Sequence, residues 1–372
     1  MRIAIDIRPL LERNRAGVPT YTAEMTRALA ISGEHEYALF LNAAGLTVPA
    51  DIPSVSSRVS HHFSRYPNRL LNSGFAFLRA PKLEQLVGDV DAVYLPNLNF
   101  VATKKPTVVT VHDLSFVRYP RFFTPKQRLW HALVGAKKTL AGAAAIVAVS
   151  EHTKCDIIET FGISETRIHT VSPGVDARYA PQSQEEIERV RAKYSLPEKF
   201  FLYLGALEPR KNINAIIAAH EQACTDADFV IAGGKGWLYE KIFSRAAASK
   251  KRDRIRFIGY VDEVDKPGLY AAALSFVYPS FYEGFGMPPA EAMAVGTPVI
   301  ASHATSLAEI VGDAGLLVDP YDHSELAAAM DAIAEQPTLA AHLRTKGFER
   351  AKKFTWESSA KKLADIFSSL RE

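Results

Sequence analysis

The chain reads Phe276-Val277-Tyr278 and, after four further residues, Glu283-Gly284-Phe285-Gly286-Met287-Pro288-Pro289-Ala290-Glu291. The apolar run predicts a strand, and the proline pair predicts a helix that begins near Pro288, because proline is pre-organised for the first turn of a helix. Backbone N–H groups at that helix start would point at whatever occupies the Gly-Phe-Gly turn. Two carboxylates, Glu283 before the turn and Glu291 about one turn inside the helix, therefore flank a candidate binding site. The alternative is a strand-turn-helix corner whose two glutamates are solvated.

Length and composition indicate a two-domain globular protein. The chain has 372 residues, 48% of them hydrophobic and 23% charged, and this length suits two domains better than one. Residues 1–173 hold 20 Lys and Arg against 14 Asp and Glu (+6), and residues 174–372 hold 24 against 27 (−3). The excess lies within residues 58–128, with 11 basic and 4 acidic side chains. This is too modest for a nucleic-acid partner, but it suits an anionic membrane, a phosphate-bearing acceptor or a plain solvated face.

Cysteine usage and hydropathy indicate the cellular compartment. Cys155 and Cys224 are the two cysteines, and their separation fits no metal site, so we expect free thiols in a reducing compartment. The chain starts directly with an apolar strand pattern, with no signal peptide before it. The strongly apolar stretch at residues 140–149 is far shorter than a membrane span. We therefore expect a cytoplasmic protein whose membrane contact is peripheral, on the inner face of the cell membrane.

Short apolar runs alternate with helical patterns along nearly the whole chain. Most runs are continuous rather than alternating, as expected for parallel strands covered on both faces. The pattern predicts an α/β, doubly wound fold. Strands are expected at residues 3–7, 37–41, 92–95, 107–111, 145–149, 201–204, 229–232, 256–260, 274–278, 299–301 and 316–318, and helices at residues 20–31, 128–141, 151–161, 213–223, 323–335 and 355–370.

The strand and helix pattern restarts after Val171-Ser172-Pro173-Gly174-Val175-Asp176. A domain boundary near residues 173–181 gives a first domain at residues 1–175 and a second domain at residues 176–354. Two doubly wound halves that face each other would place the carboxyl ends of their strands at a shared cleft, where such sheets bind ligands. The last segment, residues 355–372, is expected to form a helix.

The segment Gly205-Ala206-Leu207-Glu208-Pro209-Arg210-Lys211-Asn212 follows a predicted strand and opens a predicted helix. Arg210 offers a planar fork and Lys211 a point charge, and both suit the oxygens of a diphosphate. The helix start beyond Asn212 adds partial positive charge. The segment therefore predicts a phosphate-binding loop, with a solvated helix start as the alternative.

The paired glutamates and the E-P-R-K-N loop together resemble the retaining GT-B glycosyltransferases of family 4, and the resemblance covers nearly the whole chain. It implies transfer of a hexosyl unit from a nucleotide diphosphate sugar to an acceptor hydroxyl. It also implies that residues 1–175 form the acceptor-side domain, that residues 176–354 bind the nucleotide sugar, and that the helix of residues 355–372 packs back on the first domain. Arg210 and Lys211 would stabilise the leaving diphosphate, while Glu283 would position the sugar and Glu291 the ribose. In many relatives an arginine follows the glycine of the phosphate loop, whereas this chain has Ala206. Arg210 would then take the place of that arginine at the phosphate.

The resemblance also implies contacts from other loops. The family's matching histidine, here His112, lies beside the donor sugar and joins the catalytic set, and Asp113 would orient its ring. In the loop Arg15-Ala16-Gly17, the backbone at Gly17 could approach the phosphates or the acceptor, although an ordinary turn glycine fits equally well. The remaining nucleotide-sugar contacts are expected at Gly205, Tyr260, Val261, Phe285, Gly286 and Met287.

Two other patterns predict no further chemistry. Gly233-Gly234-Lys235-Gly236 lacks the full dinucleotide fingerprint, which argues against a dehydrogenase. Asp89-Val90-Asp91 and Asp226-Ala227-Asp228 match a metal-binding D-x-D pattern, but both precede predicted strands and so lie at the wrong end of the sheet. We therefore expect no catalytic metal and no cofactor beyond the donor substrate.

The motif forms resemble bacterial mannosyltransferases that build surface polysaccharides, so GDP-mannose is the first expected donor. UDP-sugars and dTDP-rhamnose remain open, and the acceptor is expected to be a glycan or a lipid-diphosphate-linked glycan. A nucleotide-sugar epimerase or hydrolase of the same fold is one alternative. A non-catalytic partner subunit is another, although the joint presence of Glu283, Glu291, Arg210, Lys211 and His112 argues against a decayed site.

Overall fold

The computed structural model describes residues 1–11, 17–42 and 58–371. Arg15 and Ala16, from the expected loop around Gly17, lie outside these residues. The chain divides into two compact units: unit 1 comprises Met1–Pro120, Thr124–Gly174 and Thr355–Glu372, and unit 2 comprises Arg121–Phe123 and Val175–Phe354. Among the helices of the described ranges, none has both the length and the apolar character needed to cross a bilayer.

Unit 1 is built on a seven-stranded sheet in which every pairing is parallel. The strand order is β3-β2-β1-β4-β5-β6-β7, so the chain starts in the middle and winds outward in both directions. The central strands are buried along nearly their whole length, which explains their continuous apolar sequences. The strands are β1 (Arg2–Asp6), β2 (Glu36–Asn42), β3 (Val59–Ser64), β4 (Ala92–Leu95), β5 (Thr107–Val111), β6 (Ala145–Ala148) and β7 (Ile168–Thr170).

Helices flank this sheet and bury its apolar faces. Short 3₁₀ turns at Arg8–Leu11, Pro120–Phe122 and Glu165–Arg167 and a π-turn at Gly74–Leu78 join some of them. The α-helices that precede unit 2 in the chain are α1 (Val18–Ser32), α2 (Asn68–Ser73), α3 (Leu83–Val87), α4 (Ser115–Arg118), α5 (Pro125–Val134), α6 (Ala136–Gly142) and α7 (Glu151–Phe161).

Unit 2 repeats the plan with six parallel strands in the order β10-β9-β8-β11-β12-β13. Its strands are β8 (Phe200–Leu204), β9 (Asp228–Ala232), β10 (Ile255–Gly259), β11 (Ser275–Tyr278), β12 (Val299–Ser302) and β13 (Gly315–Val318). Its helices are α8 (Gln184–Tyr194), α9 (Ile213–Gln222), α10 (Glu240–Ala247), α11 (Lys266–Ala272), α12 (Met287–Val295), α13 (Ser306–Val311), α14 (His323–Glu335) and α15 (Pro337–Ala351), with 3₁₀ turns at Pro209–Lys211, Arg252–Arg254 and Gly312–Ala314.

The last helix, α16 (Trp356–Ser369), belongs to unit 1. Thr355 caps it by accepting a hydrogen bond from the N–H of Ser358 at 3.2 Å, as its Thr-Trp-Glu-Ser start favours. The helix packs against α1, and the ring of Phe367 lies edge-on to that of Tyr94. Residues at the end of the chain therefore complete the core of the first unit.

The two parallel sheets confirm the expected α/β, doubly wound fold class. The sequence missed strands β3 and β7, which are the two outer strands of the first sheet. Both are partly exposed, so neither shows the continuous apolar run that marks a strand covered on both faces. The helix expected at residues 128–141 is two helices, because Gly135 takes a left-handed conformation (φ 63°) between them.

In unit 2 the loops that follow β8 and β9 run side by side beyond the sheet. The N–H of Leu207 donates to the carbonyl of Gly234 at 3.0 Å, and the N–H of Gly236 donates to the carbonyl of Leu207 at 3.2 Å. Gly233 has a φ of +135°, and a Cβ there would lie 1.9 Å from the carbonyl oxygen of Gly205. The close approach of the two loops therefore requires glycine at position 233.

We expect Gly233→Ala to lower the free energy of unfolding by on the order of 3 kcal/mol, because it combines a strained φ with a backbone clash. Gly234→Ala is the matched control: nothing lies within 4 Å of its added Cβ, so its effect should stay within about 0.5 kcal/mol. Urea denaturation of both variants measures the difference. Equal stabilities of the two variants would contradict this account of the loop pair.

Candidate functional site

Two loops of unit 2 meet because their strands are neighbours. Strands β8 and β11 pair in parallel, so their carboxyl ends lie at the same edge of the sheet, where doubly wound folds bind ligands. The loop after β8 carries Arg210 and Lys211, and the turn after β11 carries Glu283. The structure thus brings together three of the four residues in the expected catalytic set.

Glu283 pairs with both cations. Its Oε1 accepts from the Lys211 Nζ at 2.6 Å and its Oε2 accepts from the Arg210 Nη1 at 2.9 Å. The Lys211 ammonium also donates to the hydroxyl of Tyr278 at 2.6 Å. Glu283 and Lys211 expose only 7% and 8% of their surfaces, so this is a buried ion cluster rather than a solvated pair.

Arg210 is held from several sides. Its Nε and Nη2 donate to Oε1 of Glu208 at 3.1 and 2.8 Å, and its Nη1 also donates to the carbonyl of Tyr282 at 2.7 Å. The backbone carbonyl of Arg210 accepts from the N–H of Phe281 at 3.0 Å. The Asn212 side chain adds a bond to the carbonyl of Pro279 at 3.1 Å. The loop after β8 and the turn after β11 are thereby joined at several points.

Glu283 is ionised at neutral pH, whereas burial and the neighbouring Arg210 lower the pKa of Lys211. Burial alone would raise the pKa of Glu283, but Arg210 and Lys211 outweigh burial and lower that pKa to about 2. Two cations, Arg210 and Lys211, face two carboxylates, Glu208 and Glu283. The cluster is therefore formally neutral, and each charge in it depends on its partners.

The Gly-Phe-Gly turn after Glu283 is held by Ser306, the first residue of α13. The hydroxyl of Ser306 donates to the carbonyls of Glu283 and Phe285 at 2.9 and 3.0 Å. Gly286 precedes α12 with a φ of 101°, and a Cβ there would lie 2.6 Å from the Leu307 side chain. Met287 is the first residue of α12, as the prolines at 288 and 289 predict. The turn therefore holds Glu283 at a helix N-terminus.

Glu291 lies in α12, apart from the cation cluster, and is held by tyrosines. The hydroxyl of Tyr270 donates to its Oε2 at 3.0 Å, and the hydroxyl of Tyr179 also hydrogen-bonds to it. Burial raises the pKa of Glu291, although Lys266 and the tyrosine hydroxyls partly offset the effect. The two glutamates of the motif thus have pKa shifts of opposite sign.

The other residues of unit 2 that are expected to contact the nucleotide sugar lie in the loops after β8, β10 and β11. Gly205 directly follows β8, and its N–H donates to the carbonyl of Ala232 at 3.0 Å. After β10, the side chain of Tyr260 is 66% exposed, whereas Val261 is 1% exposed. Phe285 is buried and packs edge-on against Phe354. Of this group, Tyr260 offers an accessible apolar face.

His112 and Gly17 belong to unit 1. His112 follows β5, and its Nε2 lies 2.7 Å from the carbonyl of Pro96. Because a carbonyl can only accept, Nε2 carries the proton of the neutral ring, and burial lowers the pKa of His112. The carboxylate of Asp113 instead accepts from the N–H and hydroxyl of Ser115, so Pro96 orients the ring. Gly17 precedes α1 with a φ of 69°.

Acidic residues of the D-x-D patterns serve structural roles near the amino ends of strands. Asp91 accepts from the backbone N–H of Arg2 at 2.7 Å, and Asp228 accepts from Arg256 at 2.8 Å. Within residues 1–11, 17–42 and 58–371, no group of three or more His, Cys, Asp or Glu side chains could hold a metal ion.

Sequence reasoning did not assign roles to several residues that shape the site. Glu208 lies inside the E-P-R-K-N motif, and this position is the one feature of the sequence that could have indicated a role for it. Tyr270 reaches Glu291 from α11, and Tyr278 reaches Lys211 from β11, at separations along the chain that no local pattern reveals. These partners became visible only once the parallel strands brought the segments together.

Comparisons with known proteins identify the family. A family model described as glycosyl transferases group 1 matches residues 184–350, and one described as glycosyltransferase family 4 matches residues 15–179. The O-antigen chain mannosyltransferase B of Escherichia coli is 32% identical, over 95% of this chain and 96% of its own. A D-inositol 3-phosphate glycosyltransferase of Salinispora tropica is 27% identical, over 94% of this chain and 80% of its own.

Solved structures show the same fold. HepE from Anabaena, crystallised with UDP and glucose, superposes with a TM-score of 0.78 at 20% identity, over 99% of this chain and 100% of its own. A sucrose-phosphate synthase from Thermosynechococcus elongatus gives a TM-score of 0.78 at 24% identity, over 99% of this chain and 98% of its own. These likenesses confirm the GT-B fold and, with the relatives above, the expected resemblance.

The opposite pKa shifts of the two glutamates predict opposite effects of the same substitution. The raised pKa of Glu291 means that its stabilising protonated form is lost as pH rises, so Glu291→Gln should raise the thermal midpoint at pH 7 and have little effect at pH 4. The lowered pKa of Glu283 gives stability that is present above about pH 4.5. Glu283→Gln should therefore lower the free energy of unfolding by on the order of 3 kcal/mol at pH 7, and by progressively less as pH falls toward 2.

Thermal unfolding of both variants between pH 3 and pH 7 makes the comparison, and each variant is the control for the other. A Glu291→Gln protein that is less stable than the natural protein at pH 7 would show that burial does not penalise the ionised carboxylate.

Proposed function

Because this chain belongs to the family 4, group 1 glycosyltransferases, we propose that it transfers a mannosyl unit from GDP-mannose, with retention, to a hydroxyl of a glycan acceptor in surface polysaccharide synthesis. The observation that carries the proposal is the buried cluster of Arg210, Lys211 and Glu283 at the carboxyl edge of the second sheet. The likeness to an O-antigen mannosyltransferase along nearly the whole chain supports mannose as the sugar.

In the proposed reaction the bond between the anomeric carbon and the diphosphate breaks as the acceptor oxygen attacks from the same face. The leaving diphosphate gains negative charge, which Arg210 and Lys211 stabilise, and it takes the proton of the acceptor hydroxyl. Because the cations are already fixed by Glu208, Glu283 and backbone carbonyls, little reorganisation is needed when the charge develops. Glu283 orients the sugar, and the unprotonated Nδ1 of His112 accepts a hydrogen bond from a sugar hydroxyl.

The nucleotide part of the donor is assigned to other residues of the same edge. Glu291 accepts hydrogen bonds from the ribose hydroxyls through the carboxylate that Tyr270 orients. The ring of Tyr260 lies against the base, while Gly205 and the turn Phe285-Gly286-Met287 bring backbone close to the phosphates and the sugar. The two basic side chains take the place of a metal ion at the diphosphate, so turnover should persist in excess EDTA.

A donor panel tests the proposal. GDP-mannose should raise the thermal midpoint of the protein more than UDP-glucose or dTDP-rhamnose, because a ligand that binds only the folded state stabilises it. With a mannan oligosaccharide acceptor, the product should carry an α-mannosyl linkage, which NMR of the anomeric centre identifies. A shift with UDP-glucose alone would overturn the donor assignment. Sugar release that ignores the acceptor would favour an epimerase or hydrolase.

Lys211→Met should lower turnover by about 10²- to 10³-fold, the loss typical of removing one preorganised charge stabiliser. Methionine keeps the apolar stem of the buried side chain, so the loss reports the charge. Lys346→Met, which removes a surface lysine paired with Asp313 in the same unit, is the matched control and should leave turnover unchanged. Steady-state kinetics measure both; near-natural turnover of Lys211→Met would refute the leaving-group role.

The acceptor is proposed to be lipid-linked and to reach the enzyme from the cytoplasmic face of an anionic membrane. Unit 1 exposes large apolar side chains at α2, the π-turn and α5, interleaved with arginines and lysines. Arg8 connects these segments: its Nη1 donates to Asn72 and its Nη2 to the carbonyl of Phe100, whose ring contacts Trp130. The exposed apolar residues are Tyr66, Leu70, Phe77, Leu78, Leu129, Trp130 and Leu133. Phe75, in the π-turn, is buried.

We expect reversible binding to anionic liposomes that weakens with salt. Reversing Arg65, Arg69, Arg79 and Lys82 to glutamate should reduce this binding and slow transfer to a lipid-linked acceptor, with little effect on a small soluble acceptor. Reversing four exposed cations of unit 2, Lys241, Lys250, Arg252 and Lys352, is the matched control. Liposome sedimentation decides: binding that both quadruple variants reduce equally, or no binding at low salt, would contradict the membrane surface.

A further inference from the structure

Glu208 is a buried carboxylate at the edge of the second sheet where an anionic diphosphate is proposed to bind. It exposes 3% of its surface, and its Oε1 accepts two hydrogen bonds from the Arg210 guanidinium, at Nε and at Nη2. The opposite corner of the guanidinium, Nη1, reaches Glu283 and the carbonyl of Tyr282. The fork of Arg210 is thereby fixed between one carboxylate on its own loop and another on the neighbouring turn.

The local sequence places Glu208 with little freedom. Its backbone is extended (φ −143°, ψ 155°), the conformation that Pro209 requires of the preceding residue. Pro209 then opens the 3₁₀ turn that carries Arg210. On the other side lies Gly236, where an added Cβ would come within 3.4 Å of the Glu208 Cβ and 2.7 Å of the Leu207 carbonyl. The absence of a side chain at Gly236 lets the β9 loop cover Glu208.

A negative charge here needs an explanation, because it opposes binding of an anion. Buried ion pairs contribute little net stability, since desolvation offsets their attraction. What a carboxylate supplies instead is geometry: a fork held by two N–H···O bonds keeps one orientation. Positioning of a charge stabiliser before the reaction is what lowers the barrier.

We infer that Glu208 is a positioning residue for transfer: it orients Arg210 so that the guanidinium meets the diphosphate beside Glu283. The inference rests on the proposed function, in which Arg210 contacts the leaving group. Glu208 itself touches no substrate and acts through Arg210. Its effect is therefore confined to ligands that carry the phosphate group which Arg210 stabilises.

The test compares nucleoside diphosphate and monophosphate binding by calorimetry, with GDP against GMP and UDP against UMP. Glu208→Ala should lower affinity for the diphosphate about tenfold or more while leaving the monophosphate nearly unchanged, and turnover should fall by a similar factor or more. Glu208→Gln keeps an oxygen that can accept both Arg210 bonds, so it should retain part of the diphosphate preference. Glu221→Ala, which removes another carboxylate paired with an arginine in unit 2, is the control for a merely structural loss and should keep the preference.

Arg210→Ala, measured in the same assay, separates this inference from the proposed function. If Arg210→Ala loses the diphosphate preference and Glu208→Ala keeps it, the positioning role is overturned while the leaving-group role of Arg210 stands. If Arg210→Ala itself keeps the preference, the proposed function fails first. A loss of affinity in Glu208→Ala that is equal for the diphosphate and the monophosphate would also overturn the inference. If Glu208→Ala does not fold, the ratio of diphosphate affinity to monophosphate affinity is compared between Glu208→Gln and Glu221→Ala, and that comparison decides.

Discussion

The pairing of Glu283 with Arg210 and Lys211 is the interaction on which the edge of the second sheet depends. It joins the loop after β8 to the turn after β11 through side chains that are almost completely buried. Removing one member of such a cluster leaves an uncompensated charge in a poorly hydrated place, at a cost of roughly 3–5 kcal/mol. The conformation of both loops therefore depends on the pairing of Glu283 with Arg210 and Lys211.

The same constraint prepares the site for chemistry. Cations that are already oriented by carboxylates and backbone carbonyls can stabilise charge on a leaving group without moving. Glu291 shows the opposite arrangement: it is partly buried near tyrosine hydroxyls with weaker cationic support, and this burial raises its pKa. One glutamate of the motif thus stabilises the fold at neutral pH, whereas the other weakens it. A residue retained against stability in this way is consistent with a binding role.

Much of this could be predicted from the sequence, because the informative segments are local. Continuous apolar runs predicted the parallel strands, and the Gly-Phe-Gly-Met-Pro-Pro segment predicted the turn and the start of α12. Partners brought close only by folding could not be predicted. Tyr270 reaches Glu291 from α11, and Tyr278 reaches Lys211 from β11. The edge strand Val59–Ser64 was missed because half-exposed strands lack the apolar continuity of central ones.

A double-mutant cycle between Lys211 and Glu283 tests the central claim most directly. The free energy of unfolding would be measured at pH 7 for the natural protein, Lys211→Met, Glu283→Gln and the double variant. If the buried pair joins the two loops, the single losses should not add, and the coupling energy should be on the order of 2 kcal/mol or more. Losses that add to within about 0.5 kcal/mol would mean that the two side chains act independently, and would contradict the account.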